Sequence, residues 1–332
     1  MKKAVCALLC AALLSGCGES RSRNDGKIRI GVSVYDSYDT FISELMKEFN
    51  TDVADTGDIT VEVYNASGSQ QTQNKQMENM IEKGCDVICI NLVDRTSPKK
   101  IIDLAKKNNI PVIFFNRELV EEDLSQWEEL YYVGADAAQS GVMEGQVAAS
   151  AFADGTADKN GDGVIQYIVL EGEAGHQDAV VRTERSVDTL IEEGYEVDKI
   201  ASAIANWSRS QAQTRMAGFL ETYGNSIELV LGNNDDMALG AIDALKAAGI
   251  PRAAWPVIVG IDGTTAGLQA VVNGEMIGTV YNDKKGQAKA MADLAIALAR
   301  GESLDHLNLK NDKYIRLPYQ IITIDNVSDY LD

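Results

Sequence analysis

Asp158-Lys-Asn-Gly-Asp-Gly-Val-Ile-Gln-Tyr-Ile-Val-Leu-Glu-Gly-Glu-Ala-Gly-His-Gln-Asp-Ala-Val-Val-Arg182 holds two chemistries separated by one apolar run. Asp158, Asn160 and Asp162 alternate, and Gly163 follows. This is the first half of a calcium loop, in which oxygens at positions 1, 3 and 5 wrap a hard cation and the glycine at position 6 makes the turn. Residues 165–170 then read as a strand. A turn follows and delivers His176, Asp178 and Arg182 along the start of a helix. Strand, turn and helix make the repeating half-unit of an α/β fold. Its polar residues fall where open α/β sheets hold ligands, beyond the carboxyl ends of the strands.

The same unit recurs on both sides of this stretch. Upstream, residues 28–34, 59–64, 86–91 and 111–115 read as strands alternating with helices over 40–49, 70–83 and 98–108. After Tyr131 the pattern resumes, with strands at 165–170, 228–231, 257–261, 277–281 and 319–324. The helices between them fall over 137–153, 179–193, 208–223, 235–248, 265–273 and 285–299. Such βαβ units imply parallel sheets covered by helices on both faces. The length of 332 residues exceeds one usual domain. The fold class expected is therefore α/β with two Rossmann-like lobes, although no clear sequence repeat relates the halves.

The composition is that of a globular protein, 45% hydrophobic and 24% charged, with a formal net charge of −20. So acidic a surface disfavours nucleic acid and anionic lipid as partners, since both are polyanions. The N-terminus reads as a targeting segment: Lys2 and Lys3, an apolar run over 5–14 too short to span a membrane permanently, then Leu14-Ser15-Gly16-Cys17. Those four residues resemble the lipobox of bacterial lipoproteins, which implies a signal over 1–17 that ends at a lipidated Cys17. A polar tether over 18–27 follows, so lipid on Cys17 would hold the folded part outside the cytoplasm at a membrane. Cys85 and Cys89 remain downstream. Along a strand their Cα atoms lie about 13 Å apart, beyond the roughly 7 Å limit for a disulfide, so both are expected as buried thiols.

Nearly every strand ends in Asp or Asn: Asp39 shortly after the first, then Asn91, Asn116, Asn234 with Asp235, Asp262 and Asn282. Any one of these residues is explained by helix capping and turn formation. The whole series suits a neutral polyol, because a carboxylate accepts two hydroxyl protons and an amide both donates and accepts. Apolar sugar faces suit aromatic rings. Phe41 and Trp207 stand near these polar positions.

The segments G-V-S-V-Y-D-S-Y-D-T-F, I-N-L-V-D, G-E-A-G-H-Q-D-A-V-V-R, N-W-S, G-N-N-D-D-M-A-L-G, V-G-I-D and V-Y-N-D occur in this order. Together they resemble the galactose/glucose-binding proteins of bacterial ABC-type sugar uptake, from about Arg29 to the end. The resemblance implies two lobes joined by a three-segment hinge and closing on a sugar. The N-terminal lobe would comprise 28–116 and 283–317, and the C-terminal lobe 117–282 and 318–332. It also implies a monomeric protein that delivers glucose or galactose to a membrane permease, with a chemoreceptor as a further partner. Phe41 and Trp207 would sandwich the pyranose. Asp39, Asn91, His176, Asp178, Arg182, Asn234, Asp262 and Asn282 would bond its hydroxyls and ring oxygen, with Asp39 accepting either orientation of the 4-hydroxyl. Gln177 departs from the family, which usually has Pro there.

An EF-hand loop beginning at Asp158 would need a bidentate Glu at Val169, so that complete motif is absent. The resemblance implies instead a structural Ca²⁺ held by Asp158, Asn160, Asp162, the Val164 carbonyl, Gln166 and the distant Glu228. Other classes fit less well. An enzyme would need a nucleophile motif or phosphate loop, and neither is present. Arg and Asn partners are also expected to keep the strand-end carboxylates ionised. A repressor of similar lobes would need a basic helix-turn-helix before the first strand, where this chain has a signal and a tether. A chemosensory binder, or a binder of another monosaccharide, remains an alternative.

Overall fold

Short β-branched and aromatic runs build the two sheets, because strands covered on both faces must be apolar throughout. The computed structural model describes residues 27–331, residue 55 excepted. The targeting segment and Cys17 lie outside the described residues. In the first lobe β1 (Ile28–Val34), β2 (Ile59–Asn65), β3 (Val87–Ile90), β4 (Val112–Phe115) and β5 (Leu130–Ala135) alternate with α1 (Thr40–Ala54), α2 (Gln70–Glu82), α3 (Lys99–Asn108) and the single turn α4 (Glu121–Leu124). The second lobe carries α5 (Ala137–Phe152), β6 (Val164–Glu171), α6 (Gln177–Glu192), β7 (Glu196–Ile204), α7 (Arg209–Tyr223), β8 (Leu229–Gly232), α8 (Asp235–Ala247), β9 (Val257–Asp262), α9 (Thr265–Val272) and β10 (Gly278–Tyr281). The chain then returns for α10 (Lys284–Arg300) and β11 (Tyr314–Leu317), and ends with β12 (Gln320–Thr323).

The sheet orders are β11-β5-β4-β3-β1-β2 and β12-β10-β9-β8-β6-β7. Pairing is parallel except between β10 and β12. The strand order reverses beside β1 in the first sheet and beside β6 in the second. These reversals open the crevices in which ligands of open α/β sheets sit. Cys85 and Cys89 are buried and form no disulfide.

The lobes exchange chain at Asp136, between Tyr281 and Lys284, and between Leu317 and Gln320. The first crossing was expected after Asn116. It falls instead after Ala135, because β5 pairs with β4 from Val112↔Leu130 to Phe115↔Val133 and completes the first sheet. Three strands escaped the sequence reading: β5, β7 and β11. Of these, β7 is an edge strand with alternating exposure and a Glu-Val-Asp-Lys start, so no apolar run marks it.

Helix α5 is packed unusually close to α6. A Cβ on Gly145 would lie 2.5 Å from the Ser186 carbonyl oxygen and 2.6 Å from Thr189 Cβ, and one on Gly141 would lie 3.0 Å from the Arg182 carbonyl. The two glycines admit α6, and with it the buried Arg182, to the core of the second lobe. Gly145→Ala should therefore lower unfolding stability by about 1–3 kcal/mol through overpacking. Urea denaturation measures this directly, and an unchanged midpoint would show that the helices separate at no cost.

Candidate functional site

The loop after β1 and the start of α1 supply the first wall. Asp39 caps α1: Oδ1 accepts from the Ile42 amide at 2.9 Å, while Oδ2 accepts from the Tyr35 hydroxyl at 2.5 Å. Burial raises the Asp39 carboxyl above the ordinary range, against those two hydrogen bonds. Asn116, just past β4, has φ +60°, a left-handed conformation that Asn tolerates better than most residues. Arg117 follows, buried, its guanidinium 3.5 Å from the centre of the Tyr35 ring. It donates to the Val93 carbonyl and, across the cleft, to Glu173 Oε1, each at 2.9 Å.

The loops after β6, β8 and β9 make the opposite wall. His176 caps α6, its Nδ1 accepting from the Asp178 amide at 3.1 Å. In the neutral ring this leaves the proton on Nε2 as a donor. Burial lowers the His176 pKa to about 4, with Asp178 pulling the other way. Arg182 lies one turn beyond Asp178. Its Nη1 donates to the Asn233 carbonyl at 2.7 Å and its Nη2 to the Tyr319 hydroxyl at 3.2 Å. Asp178 and Asp262 stand 3.7 and 3.8 Å from the same guanidinium. Trp207 meets His176 edge-on, with ring centres 5.1 Å apart. Gly172 makes room for it, since a Cβ there would fall 2.1 Å from the indole. Asn234 caps α8 through Oδ1, at 2.9 Å from the Met237 amide, and its Nδ2 reaches the Trp207 carbonyl at 3.4 Å.

The backbone is strained at this wall. Asn206 and Trp207 have φ +51° and +61°, and Asp262 has φ +120°. Such values cost an L-residue about 1–3 kcal/mol each and persist where the surroundings enforce them. Between the walls lies a cleft lined by Tyr35, Asp39, Phe41, Ile42, Asn116, Arg117, His176, Asp178, Arg182, Trp207, Asn234 and Asp262. Further contacts hold the lobes together around it. Thr40 Oγ1 donates to Asp236 Oδ2 at 2.6 Å, and Glu44 accepts from the Thr265 amide at 3.1 Å and pairs with Lys284.

Eight of the ten predicted contact residues line this cavity: Asp39, Phe41, His176, Asp178, Arg182, Trp207, Asn234 and Asp262. Asn91 and Asn282 do not. Asn91 is fully buried behind the first wall, where Oδ1 accepts from the Tyr35 amide and Nδ2 donates to the Phe115 carbonyl and to Asn116 Oδ1. The strand-end amide that reaches the cavity is Asn116. Asn282 likewise stands behind Asp262, to which it is hydrogen-bonded, and accepts from Gln287 Nε2 at 2.5 Å. Tyr35, Arg117 and Ile42 had no strand-end signal and were missed. The expectation of ionised carboxylates also needs correction. Burial raises the Asp262 carboxyl well above the usual range despite the neighbouring Arg182. Asp235, behind it, is pushed up to about 7 by burial, although Thr279 and Thr264 donate to it.

The sequence matches the periplasmic binding protein domain over residues 30–303. The chain belongs to the periplasmic binding proteins. It is 35% identical to the D-galactose/methyl-galactoside binding periplasmic protein of Haemophilus influenzae, covering 99% of each chain. It is 32% identical to a xylitol-binding protein of Mycolicibacterium smegmatis, over 94% of this chain and 81% of that one. An ABC transporter solute binding protein from Bacillus halodurans with bound myo-inositol superposes with a TM-score of 0.78 at 30% identity, over 93% of this chain and 99% of the other. These are binding proteins by name, and the family accordingly speaks against an enzyme.

At the opposite end of β6 from His176, the Asp158 loop of this binding protein is tied to β8. Glu228, 1% exposed, accepts from the Lys159 amide at 2.7 Å, the Asn160 amide at 3.4 Å and the Gln166 amide at 3.3 Å. Asp158 accepts from the Gly161 and Gly163 amides at 2.7 and 2.9 Å. Among the described residues, no three His, Cys, Asp or Glu side chains converge as a metal cluster. The expected set includes three carboxylates, Asp158, Asp162 and Glu228, and their oxygens accept from backbone and side-chain amides of the loop instead of meeting at one point. Asn160 Nδ2 sits 2.9 Å from Asp162 Oδ2 and 3.0 Å from Gln166 Oε1. An electropositive group thus occupies the spot where oxygens gather, and an amide flip would present a further oxygen there. The residue types are those that bind a hard cation, and the loop would have to draw these oxygens together to hold one.

Because the folded His176 value lies below the unfolded one, near 6.5, its contribution to stability is complete above about pH 6.5. That contribution is lost as pH falls through about 4. In an NMR titration of the sugar-free protein, the His176 ring should titrate near pH 4. Assignment is simple with two histidines in the chain, and a midpoint near 6.5 would show a solvated ring and an open cleft.

Proposed function

We propose that the protein captures D-glucose or D-galactose between its lobes and delivers it to an ABC-type sugar permease. The observation that carries this reading is the composition of one inter-lobe cleft. Aromatic faces come from both lobes, Phe41 from one and Trp207 from the other, and Asp39, Asp178, Arg182, Asn234 and Asp262 surround the space between them. Planar carboxylate, amide and guanidinium groups satisfy vicinal hydroxyls in pairs, and the rings cover the C–H faces. The 35% identity to the galactose/methyl-galactoside binding protein supports a hexose. Burial raises the carboxyls of Asp39 and Asp262, and hydroxyl donors from a sugar would favour their ionised form.

Lipid on Cys17 would keep the protein beside its permease, and a chemoreceptor that reads the closed lobes is a further partner consistent with this role. The Asp158 loop, with Asn160, Asp162, the Val164 carbonyl, Gln166 and Glu228, would hold one structural Ca²⁺, whose charge would brace the loop against β8.

Calorimetry against a monosaccharide panel should find glucose or galactose binding tighter than about 10 μM. Tight ribose, xylitol or inositol binding with no hexose response would overturn the assignment. Asp262→Ala should weaken the hexose about 100-fold or more, because Arg182 is left buried without that charge partner, while circular dichroism stays native. Retained affinity would remove Asp262 from the site. EDTA should lower the melting temperature by removing a ligand of the folded state alone. An unchanged melting temperature, with no metal on elemental analysis, would refute the calcium site.

A further inference from the structure

Beside the inner cavity lies a second space, again walled by both lobes. The two spaces share Tyr35, Asp39 and Trp207. The two spaces are therefore adjacent.

The outer walls have a definite chemistry. Tyr38, on the lip contributed by the β1–α1 loop, is 90% exposed, the most of any large hydrophobic side chain described. Its amide is fixed to Asp36 Oδ1 at 2.9 Å, so the loop that carries the ring is braced although the ring packs against nothing. Facing it, the turn at Asn206 and the start of α7 offer amides and hydroxyls. Asn206 is itself oriented by a 2.9 Å bond from its Nδ2 to Gln211 Oε1. The one cation in the lining, Arg209, is already engaged by both oxygens of Asp243 at 2.6 and 2.9 Å. Asp36, Asp39 and Asp236 leave the lining acidic. Phosphate and carboxylate ligands are thereby disfavoured. A neutral, polyhydroxylated group with an apolar face is what remains.

On the reading that the inner cavity holds a hexose, we infer that the outer space is a second saccharide subsite, with Tyr38 as its stacking platform. The ligands of the protein then include glycosides whose second ring is linked through a hexose hydroxyl on the side of Asp39 and Trp207. An offset aromatic face under a pyranose is the same contact that Phe41 and Trp207 offer inside.

The test is calorimetry of the full chain with galactose, glucose, lactose and melibiose freed of monosaccharide, using the wild type and Tyr38→Ala. At least one disaccharide should bind within about 10-fold of its parent hexose. Tyr38→Ala should weaken that disaccharide by about 3- to 10-fold, the range of an aromatic contact, and leave the hexose unchanged. Hexose binding with no disaccharide binding at millimolar concentration would overturn the subsite and leave the hexose reading standing. So would a Tyr38→Ala effect equal on both ligands, or none on either. If no sugar in the panel binds, the underlying reading falls, and the subsite with it.

Discussion

A guanidinium taken fully out of water is the constraint around which the second lobe is arranged. Arg182 is 4% exposed, and an isolated buried charge would cost several kcal/mol even after relaxation. Its partners come from widely separated parts of the chain. They are the Asn233 carbonyl after β8, Tyr319 on the third crossing, Asp262 at the end of β9, and Asp178 one turn back on α6. The fork geometry of Arg lets one side chain hold these directions at once. The buried cation therefore fixes loops that have no backbone pairing with one another. It also accounts for Gly141 and Gly145 on α5, which let α6 carry the charge so deep.

The cavity groups perform two duties each. Asp39, His176 and Asn234 cap α1, α6 and α8 with one acceptor atom, so the helix end locks the rotamer of a side chain that lines the cleft. Capping and binding are thus complementary explanations for the same residues. Behind them stands a second layer without access to the cavity. Asn91, Asn233, Asp235 and Asn282 are buried and hydrogen-bonded to the loops they support.

This layering explains what could be read from the residues alone. The apolar runs of β1, β3, β4, β6, β8 and β9 announce a buried parallel sheet, and the strand-end polar series marks the crevice. Depth within the crevice is not encoded by residue type. Asn91 and Asn116 both end strands and both amides continue the ladder, to the Ser33 and Val133 carbonyls, but only Asn116 turns to φ +60° and reaches the space between the lobes. Sequence spacing cannot distinguish those outcomes. Nor could it show that β5 completes the first sheet, since an apolar hexapeptide fits either lobe equally well. The protonation tendency of Asp39 and Asp262 was misjudged for a related reason: their partners are visible in sequence, whereas the dryness of their surroundings is a property of closure.

The three crossings carry a consequence for how the molecule is made. Helix α10 packs on α1, and β11 closes the edge of the first sheet, so the N-terminal lobe needs residues that follow nearly the whole of the C-terminal lobe. The C-terminal lobe in turn waits for β12. Neither half can complete itself as an independent unit during vectorial synthesis, and many contacts join residues distant in sequence, a feature that slows folding. Only about the last fifty residues, from Asp283 onward, supply the elements that seal both sheets.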